Sequence, residues 1–181
     1  MSVGVNMGSA SLTFMALVLV APLQVAGSSS EPGAWAGPGR GEIRVAESPV
    51  ADAAERGDVE AVRALLKDGA DVNASQGDGM SALHWAAMNG DAAMVEVLVY
   101  AGAALESTTR LGGYAPLHLA SHRGLSAAVQ ALLAAGADPN VVSTTGVTPL
   151  HLGAESGDAM TITALIEAGG DPDARDGHKG R

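Results

Sequence analysis

The sequence predicts an all-α protein, an α-solenoid of about four stacked helix-turn-helix units joined by short β-hairpin-like fingers. One glycine recurs every 33 or 34 residues, at Gly57, Gly90, Gly124 and Gly157. A second glycine keeps the same spacing, at Gly69, Gly102, Gly136 and Gly169. Between the two glycines of each unit, apolar residues recur at helical spacing, as at Val62, Leu65 and Leu66. Four units in register predict that each unit packs on the next.

Each unit is expected to contain two helices with recognisable ends. The first helix opens at Ser48–Pro49, Ser81–Ala82, Ala115–Pro116 and Thr148–Pro149. A hydroxyl there can cap free backbone N–H groups, and proline fits the first helical position. The glycines suit the helix ends, and Gly79, Gly113 and Gly146 suit the finger turns. Ala115 lacks the hydroxyl, which is expected to weaken its helix start by about 1 kcal/mol.

The motifs at these positions resemble the ankyrin repeat. The Thr-Pro-Leu-His opening of that family is matched at residues 81–84, 115–118 and 148–151. Its Gly-Ala-Asp-Val-Asn closing is matched at residues 69–73 and nearly at 136–140. The resemblance covers about residues 47–174, as repeats 47–76, 77–109, 110–142 and 143–174. It implies a module that binds other proteins through a concave surface lined by first helices and finger tips.

The outer repeats and the second finger depart from the pattern. Ala51 and Asp52 stand where later repeats have His-Trp or His-Leu, which is typical of an N-terminal capping repeat. One additional residue before Gly113 predicts a longer or bulged second finger. No cap follows the apolar residues of the last repeat, and residues 175–181 are expected to form a disordered tail. A frayed last repeat, a truncated product and a partner docked on the open end remain alternatives.

Residues 1–27 are predicted to be a signal peptide or a membrane anchor. The apolar run 12–23 has the length of a signal-peptide h-region, whereas a membrane span needs roughly 20 apolar residues. Small residues follow it, but Lys and Arg are absent from the region before it, so an anchor or a start at Met7 or Met15 stays open. Residues 28–46 are predicted to be a flexible Ser/Gly/Pro linker. We therefore expect an exported protein, periplasmic or secreted, or one anchored by its N-terminal segment.

Composition excludes some kinds of reactive site and disfavours one class of partner. Acidic residues outnumber basic ones 20 to 10, and a net charge of −10 disfavours nucleic acid as a partner. The chain has no cysteine, which excludes disulfides, thiolate nucleophiles and cysteine zinc sites. Neither a serine nucleophile motif nor a phosphate-binding glycine loop stands out. We expect no enzymatic activity and no cofactor.

Three histidines, His84, His118 and His151, occupy equivalent positions in successive repeats. Adjacent helices lie about 8–10 Å apart, so these side chains cannot share one metal ion. The resemblance implies a structural role, with hydrogen bonds across the turns between repeats. His118 and His122 have the spacing of a two-histidine metal face, but no third ligand stands beside them. We therefore expect no metal site.

Residues that the repeat pattern leaves free are candidates for partner binding. On the fingers they are Asp78, Met80, Arg110, Leu111, Tyr114, Thr144, Thr145 and Val147. At the ends of the first helices they are Met88, Asn89, His122, Arg123, Glu155 and Ser156. Tyr114 and Arg123 are predicted to form the centre, because Tyr and Arg dominate interface energetics. Trp85 is expected in the core. The expected function is binding of an unidentified protein, or inhibition or assistance of a partner enzyme.

Overall fold

A computed structural model describes residues 48–175 and residue 177. Its eight helices are α1 Pro49–Glu55, α2 Val59–Lys67, α3 Ala82–Asn89, α4 Ala92–Tyr100, α5 Pro116–His122, α6 Ser126–Ala134, α7 Pro149–Ser156 and α8 Ala159–Glu167. The odd-numbered helices pack side by side in one layer, and α4, α6 and α8 pack in a second. An isolated antiparallel bridge joins Ser75 and Ser81 in the first finger. The predicted all-α solenoid is confirmed.

The predicted leader, residues 1–27, and the predicted linker, residues 28–46, lie outside the described residues. Within the part of the chain that is described, no helix is long and apolar enough to cross a membrane.

The two helices of a repeat bury different kinds of side chain. First helices are short and each buries at least one Ala or Gly, and α3 buries Ala82, Leu83, Ala86 and Ala87. Second helices bury one stripe, which in α4 consists of Met94, Val95 and Leu98. Small residues on the first helices allow adjacent repeats to approach closely, so the apolar core runs continuously through the stack.

Helix starts and ends follow the predicted residues. First helices begin at Pro49, Ala82, Pro116 and Pro149. Gly90 and Gly157 end α3 and α7 in the left-handed conformation, each with φ of 73°. Second helices begin after Asp58, Asp91 and Asp158, whose carboxylates accept backbone N–H bonds of 2.8–2.9 Å. Leu125 takes this position before α6, so that helix lacks a side-chain cap.

At the starts of α3, α5 and α7 the principal acceptor is a histidine rather than the predicted hydroxyl. Nδ1 of His84 accepts the backbone N–H of Ser81 at 3.2 Å, and Nδ1 of His118 accepts that of Ala115 at 3.1 Å. The Ser81 hydroxyl itself lies 2.8 Å from Nδ1 of His84. Only Thr148 uses its hydroxyl as expected, accepting the His151 N–H at 3.4 Å. The missing hydroxyl at Ala115 therefore leaves this histidine bond intact.

The same histidines bridge to the following repeat. Nε2 of His84 donates to the Tyr114 carbonyl at 3.0 Å, and Nε2 of His118 donates to the Val147 carbonyl at 2.9 Å. Because Nδ1 already accepts an N–H, the proton sits on Nε2 and the ring is neutral. Burial lowers the pKa of both imidazoles. The structural role that the family resemblance implied is confirmed for His84 and His118, whereas the bonds described for His151 are those with Thr148 at the start of its own helix.

Adjacent fingers are joined by backbone hydrogen bonds in a constant register. An N–H of each finger donates to a carbonyl of the finger before it: Arg110 to Asp78 at 2.8 Å, Thr144 to Gly112 at 3.0 Å, and Gly177 to Thr145 at 2.7 Å. Gly177 thus occupies the position that Arg110 and Thr144 hold in their own fingers. Residues 176 and 178–181 of the predicted tail lie outside the described residues.

The second finger is bulged, as the additional residue predicted. Gly112 and Gly113 both have positive φ, 85° and 63°, whereas the neighbouring fingers use only Gly79 or Gly146 there. Two successive left-handed residues make the additional turn that the inserted residue requires.

The last described repeat keeps apolar side chains open to solvent. Met160 is 62% exposed and Ile166 is 48% exposed. Leu150 is partly exposed, whereas its equivalents Leu83 and Leu117 are each 1% exposed. Among the described residues, α7 and α8 therefore show no capping layer.

We expect His118→Ala to lower the free energy of unfolding by about 2–4 kcal/mol, because it leaves the Ala115 N–H and the Val147 carbonyl without their partner. The matched control is His122→Ala, four residues along and exposed on the same helix, with an effect within about 0.5 kcal/mol. Urea unfolding followed by circular dichroism measures both. Equal losses in the two variants would contradict the bridging role.

The lowered histidine pKa values predict an acid-sensitive fold. The unfolded chain, with a histidine pKa near 6.5, binds these protons more readily than the folded chain does. The stabilising contribution is therefore complete above about pH 6.5 and declines as the pH falls towards the lowered folded-state values. Thermal melting across this range should show the decline, and His118→Gln should make it shallower. An unchanged slope in His118→Gln would refute this origin.

Candidate partner-binding face

The finger face consists of the fingers, residues 76–80, 109–114 and 143–147, together with the C-terminal ends of α1, α3, α5 and α7. The helices α3, α5 and α7 each begin directly after a finger, so fingers and helix ends alternate along the stack. Hydrogen bonds between fingers fix the backbone, as described above. Side chains that point away from this frame are free to meet another molecule.

Most of the predicted binding residues do point outwards. The exposed ones are Asp78, Asn89, Arg110, Leu111, His122, Arg123, Thr144, Thr145, Glu155 and Ser156. Met88, Tyr114 and Val147 are partly buried. Met80 is only 8% exposed, so its expected availability to a partner is corrected: its side chain packs inwards.

The second finger presents the most exposed apolar side chain of the finger face. Leu111 is 82% exposed at its tip. Thr109 closes the loop beneath it: its hydroxyl donates to the Leu111 carbonyl at 2.8 Å and accepts the Tyr114 N–H at 3.1 Å. The tip is therefore held in one conformation with an apolar group outermost.

Tyr114 is oriented by two neighbours. Its ring meets the His118 ring edge-on, with centroids 5.7 Å apart and planes at 67°. A Cβ at Gly112 would collide with the Tyr114 ring, so only glycine lets the ring fold over the loop. Tyr114 precedes α5 and Arg123 follows it, so α5 separates them by roughly 10 Å. The two predicted central residues thus belong to one repeat, with Tyr114 fixed and Arg123 exposed.

A polar network on the first two repeats was missed by the sequence analysis. The Gln76 amide donates to Asp52 at 2.7 Å and to Glu55 at 3.0 Å. Its oxygen accepts the Trp85 indole N–H at 2.8 Å. Trp85 packs against the core as expected, but it is only partly buried and its nitrogen faces this network. Asp52 occupies the position that Leu119 and Leu152 hold in later repeats. This polar residue at an apolar position is the one feature of the sequence that could have revealed the network.

Charge alternates along the finger face. The first repeat and first finger carry Asp52, Glu55 and Asp78, with Arg56 beside them. The middle repeat carries Arg110, His122 and Arg123 and no carboxylate at its finger or helix end. Glu155 follows at the end of α7. An acidic group on a partner would therefore meet attraction at the middle repeat and repulsion on either side of it.

The two bridging histidines use both of their ring nitrogens in the structure. Both ring nitrogens of His84 and His118 are engaged in hydrogen bonds. Over residues 48–175 and residue 177, no group of three His, Asp or Glu side chains is placed to hold a metal ion.

Two comparisons with family profiles agree with this geometry. A profile described as ankyrin repeats (many copies) matches residues 50–99. Another, described as ankyrin repeats (3 copies), matches residues 104–176. No curated protein matches the chain. Together with the paired helices and the histidine bridges between repeats, these matches show that the chain belongs to the ankyrin-repeat family.

Proposed function

We propose that this chain binds a protein partner across its finger face and catalyses no reaction itself. Ankyrin repeats imply a protein–protein interaction module, and the finger face supplies what binding requires. The observation that carries the proposal is that the fingers are fixed by their own hydrogen bonds while other side chains on them stay exposed. The backbone N–H groups of Arg110 and Thr144 and the Thr144 hydroxyl donate to carbonyls of the preceding fingers, while the Arg110 side chain is exposed. Such a preformed frame costs little entropy to order when a partner binds.

The middle repeat is the proposed centre of contact. Leu111 offers apolar area, Arg123 offers a charged, directional donor, and Tyr114 offers an aromatic edge already fixed by His118. Arg and Tyr are enriched among the residues that contribute most to binding. The complementary partner surface would place an apolar side chain over Leu111 and a carboxylate near Arg123, with basic groups towards Glu55 and Glu155.

We expect Arg123→Glu combined with Leu111→Ser to weaken capture of the native partner at least about 30-fold, the effect of losing one dominant contact. The bait is the full chain, incubated with fractions of the native host. The matched control is Glu167→Arg, a charge reversal of equal size at an exposed site on α8, away from the finger face. Circular dichroism checks that every bait keeps its helices.

If the double variant captures the partner as well as the wild-type chain does, the binding site lies outside the finger face. If the captured partner is an enzyme, its turnover with and without the chain separates a scaffold from an inhibitor. Unchanged turnover supports the scaffold, and lost turnover supports the inhibitor.

We also propose that the chain is exported. The support is the sequence alone: the uncharged apolar run 12–23 followed by small residues. Mass spectrometry of the chain recovered from its native host should find the mature N-terminus near Ser28, with the protein in the extracytoplasmic fraction. A chain that retains Met1 and partitions into membranes would indicate the anchor instead. A chain that retains Met1 in the cytoplasm would refute export.

A further inference from the structure

Tyr100 is the most exposed large apolar residue described, and it lies on the second helices rather than on the finger face. It is the last residue of α4 and is 96% exposed. Equivalent positions at the ends of α2, α6 and α8 hold Lys67, Ala134 and Glu167. A buried role therefore does not explain an aromatic ring there.

Two grooves flank this side chain. One, of about 620 Å³, runs between α2 and α4 and is lined by Arg63, Leu66, Lys67, Glu96, Val97, Tyr100 and Ala101. The other, of about 320 Å³, lies between α4 and α6 and is lined by Glu96, Val99, Tyr100, Ala131, Ala134 and Ala135. We call the exposed C-terminal parts of α2, α4 and α6 the Tyr100 face. It carries a projecting ring directly beside a groove wide enough to receive one.

The walls of the larger groove carry complementary charges at matching intervals. Glu96 and Tyr100 are four residues apart on α4, so they project from one side of that helix. Arg63 and Lys67 are likewise four apart on α2. If α4 of another copy lay along this groove, its carboxylate and its ring would each meet a cation. Lys67 beside an aromatic face would add a cation–π contact, and Leu66 and Val97 would cover the ring.

The cations of α2 are available for this role. Arg63 lies 3.9 Å from Glu60, and the two side chains are 57% and 90% exposed. An exposed pair at that distance contributes little stability, so exchange for another carboxylate costs little. Lys67 is also exposed, at the end of α2.

We infer that the chain forms a two-fold homodimer in which Tyr100 of each copy enters the α2–α4 groove of the other. A two-fold axis needs a self-complementary surface, and a ring adjacent to its own receptor groove supplies one. Glu96 of one copy then faces Arg63 and Lys67 of the other. The net charge of −10 on each chain opposes association at long range, but in about 150 mM salt this repulsion is screened beyond roughly 8 Å.

Cross-linking tests the geometry in the full chain, which has no cysteine of its own. Ala101→Cys places a thiol in the groove next to Tyr100, and a short bismaleimide should then trap a dimer. Adding Tyr100→Ser should reduce the trapped dimer at least tenfold. Leu111→Cys, equally accessible but on the finger face, should give little dimer. Equal trapping at positions 101 and 111, or trapping insensitive to Tyr100→Ser, would overturn the proposal.

Charge exchange tests the pairing independently. Lys67→Glu and Glu96→Lys should each weaken self-association at least tenfold in sedimentation velocity, because like charges then face each other twice. Mixing the two variants should restore the dimer, since every Glu96 again meets Lys67 and every Lys at 96 meets a Glu at 67. A wild-type chain that stays monomeric at its highest soluble concentration would overturn the proposal. The proposal would also be overturned if the mixture of the two variants were no more dimeric than each variant alone. The groove would then bind some other protein.

Discussion

The neutral imidazole that joins one repeat to the next is the interaction on which the fold depends. On His84 and His118, one nitrogen satisfies the start of its own helix and the other satisfies a carbonyl of the following finger. The Nδ1 bond is buried and the Nε2 bond is partly buried, so leaving either one unmade would cost free energy that packing alone does not return. This pair of bonds fixes the position of each following finger relative to the helix that carries the histidine. The arrangement of the finger face depends on these positions.

The backbone hydrogen bonds are made within the stack. The properties of its two outer faces are therefore determined by side chains. Along the finger face, an acidic section is followed by a basic one and then by another acidic one. Hydrogen bonds such as those of Gln76 and Thr109 fix the fingers that carry these sections. The Tyr100 face combines apolar residues such as Leu66 and Val97 with the charges of Arg63, Lys67 and Glu96, and α2 lies less closely on α4 than α4 does on α6. On the finger face the sign of the charge changes from one repeat to the next, whereas on the Tyr100 face both signs line a single groove.

The sequence predicted the fold well, because the helix ends and the histidines are each marked by a few neighbouring residues. These marks then recur with the period of 33 or 34 residues. The bulge around Gly112 also followed from counting residues. Met80, Gln76 and Asp52 could not be placed in this way, because their surroundings are set by contacts 9 to 24 residues apart or by how a finger closes. The exposure of Tyr100 did not follow from its neighbours, because it ends an apolar run on α4 and only its equivalence to Lys67 and Ala134 marks the position as exposed.

Every histidine bridge donates in the same direction along the chain, from a repeat to the one that follows it. The finger bonds donate in the opposite direction, from each finger to the one before. From the second repeat onwards, neighbouring repeats are thus joined by two opposed sets of short bonds, and no bond of either kind joins more distant repeats among the described residues. Under a pulling force applied along the stack, such a molecule should not rupture as a whole. It should extend in steps of one repeat, each step about 33 residues of released chain, and recoil in the same units when the tension falls.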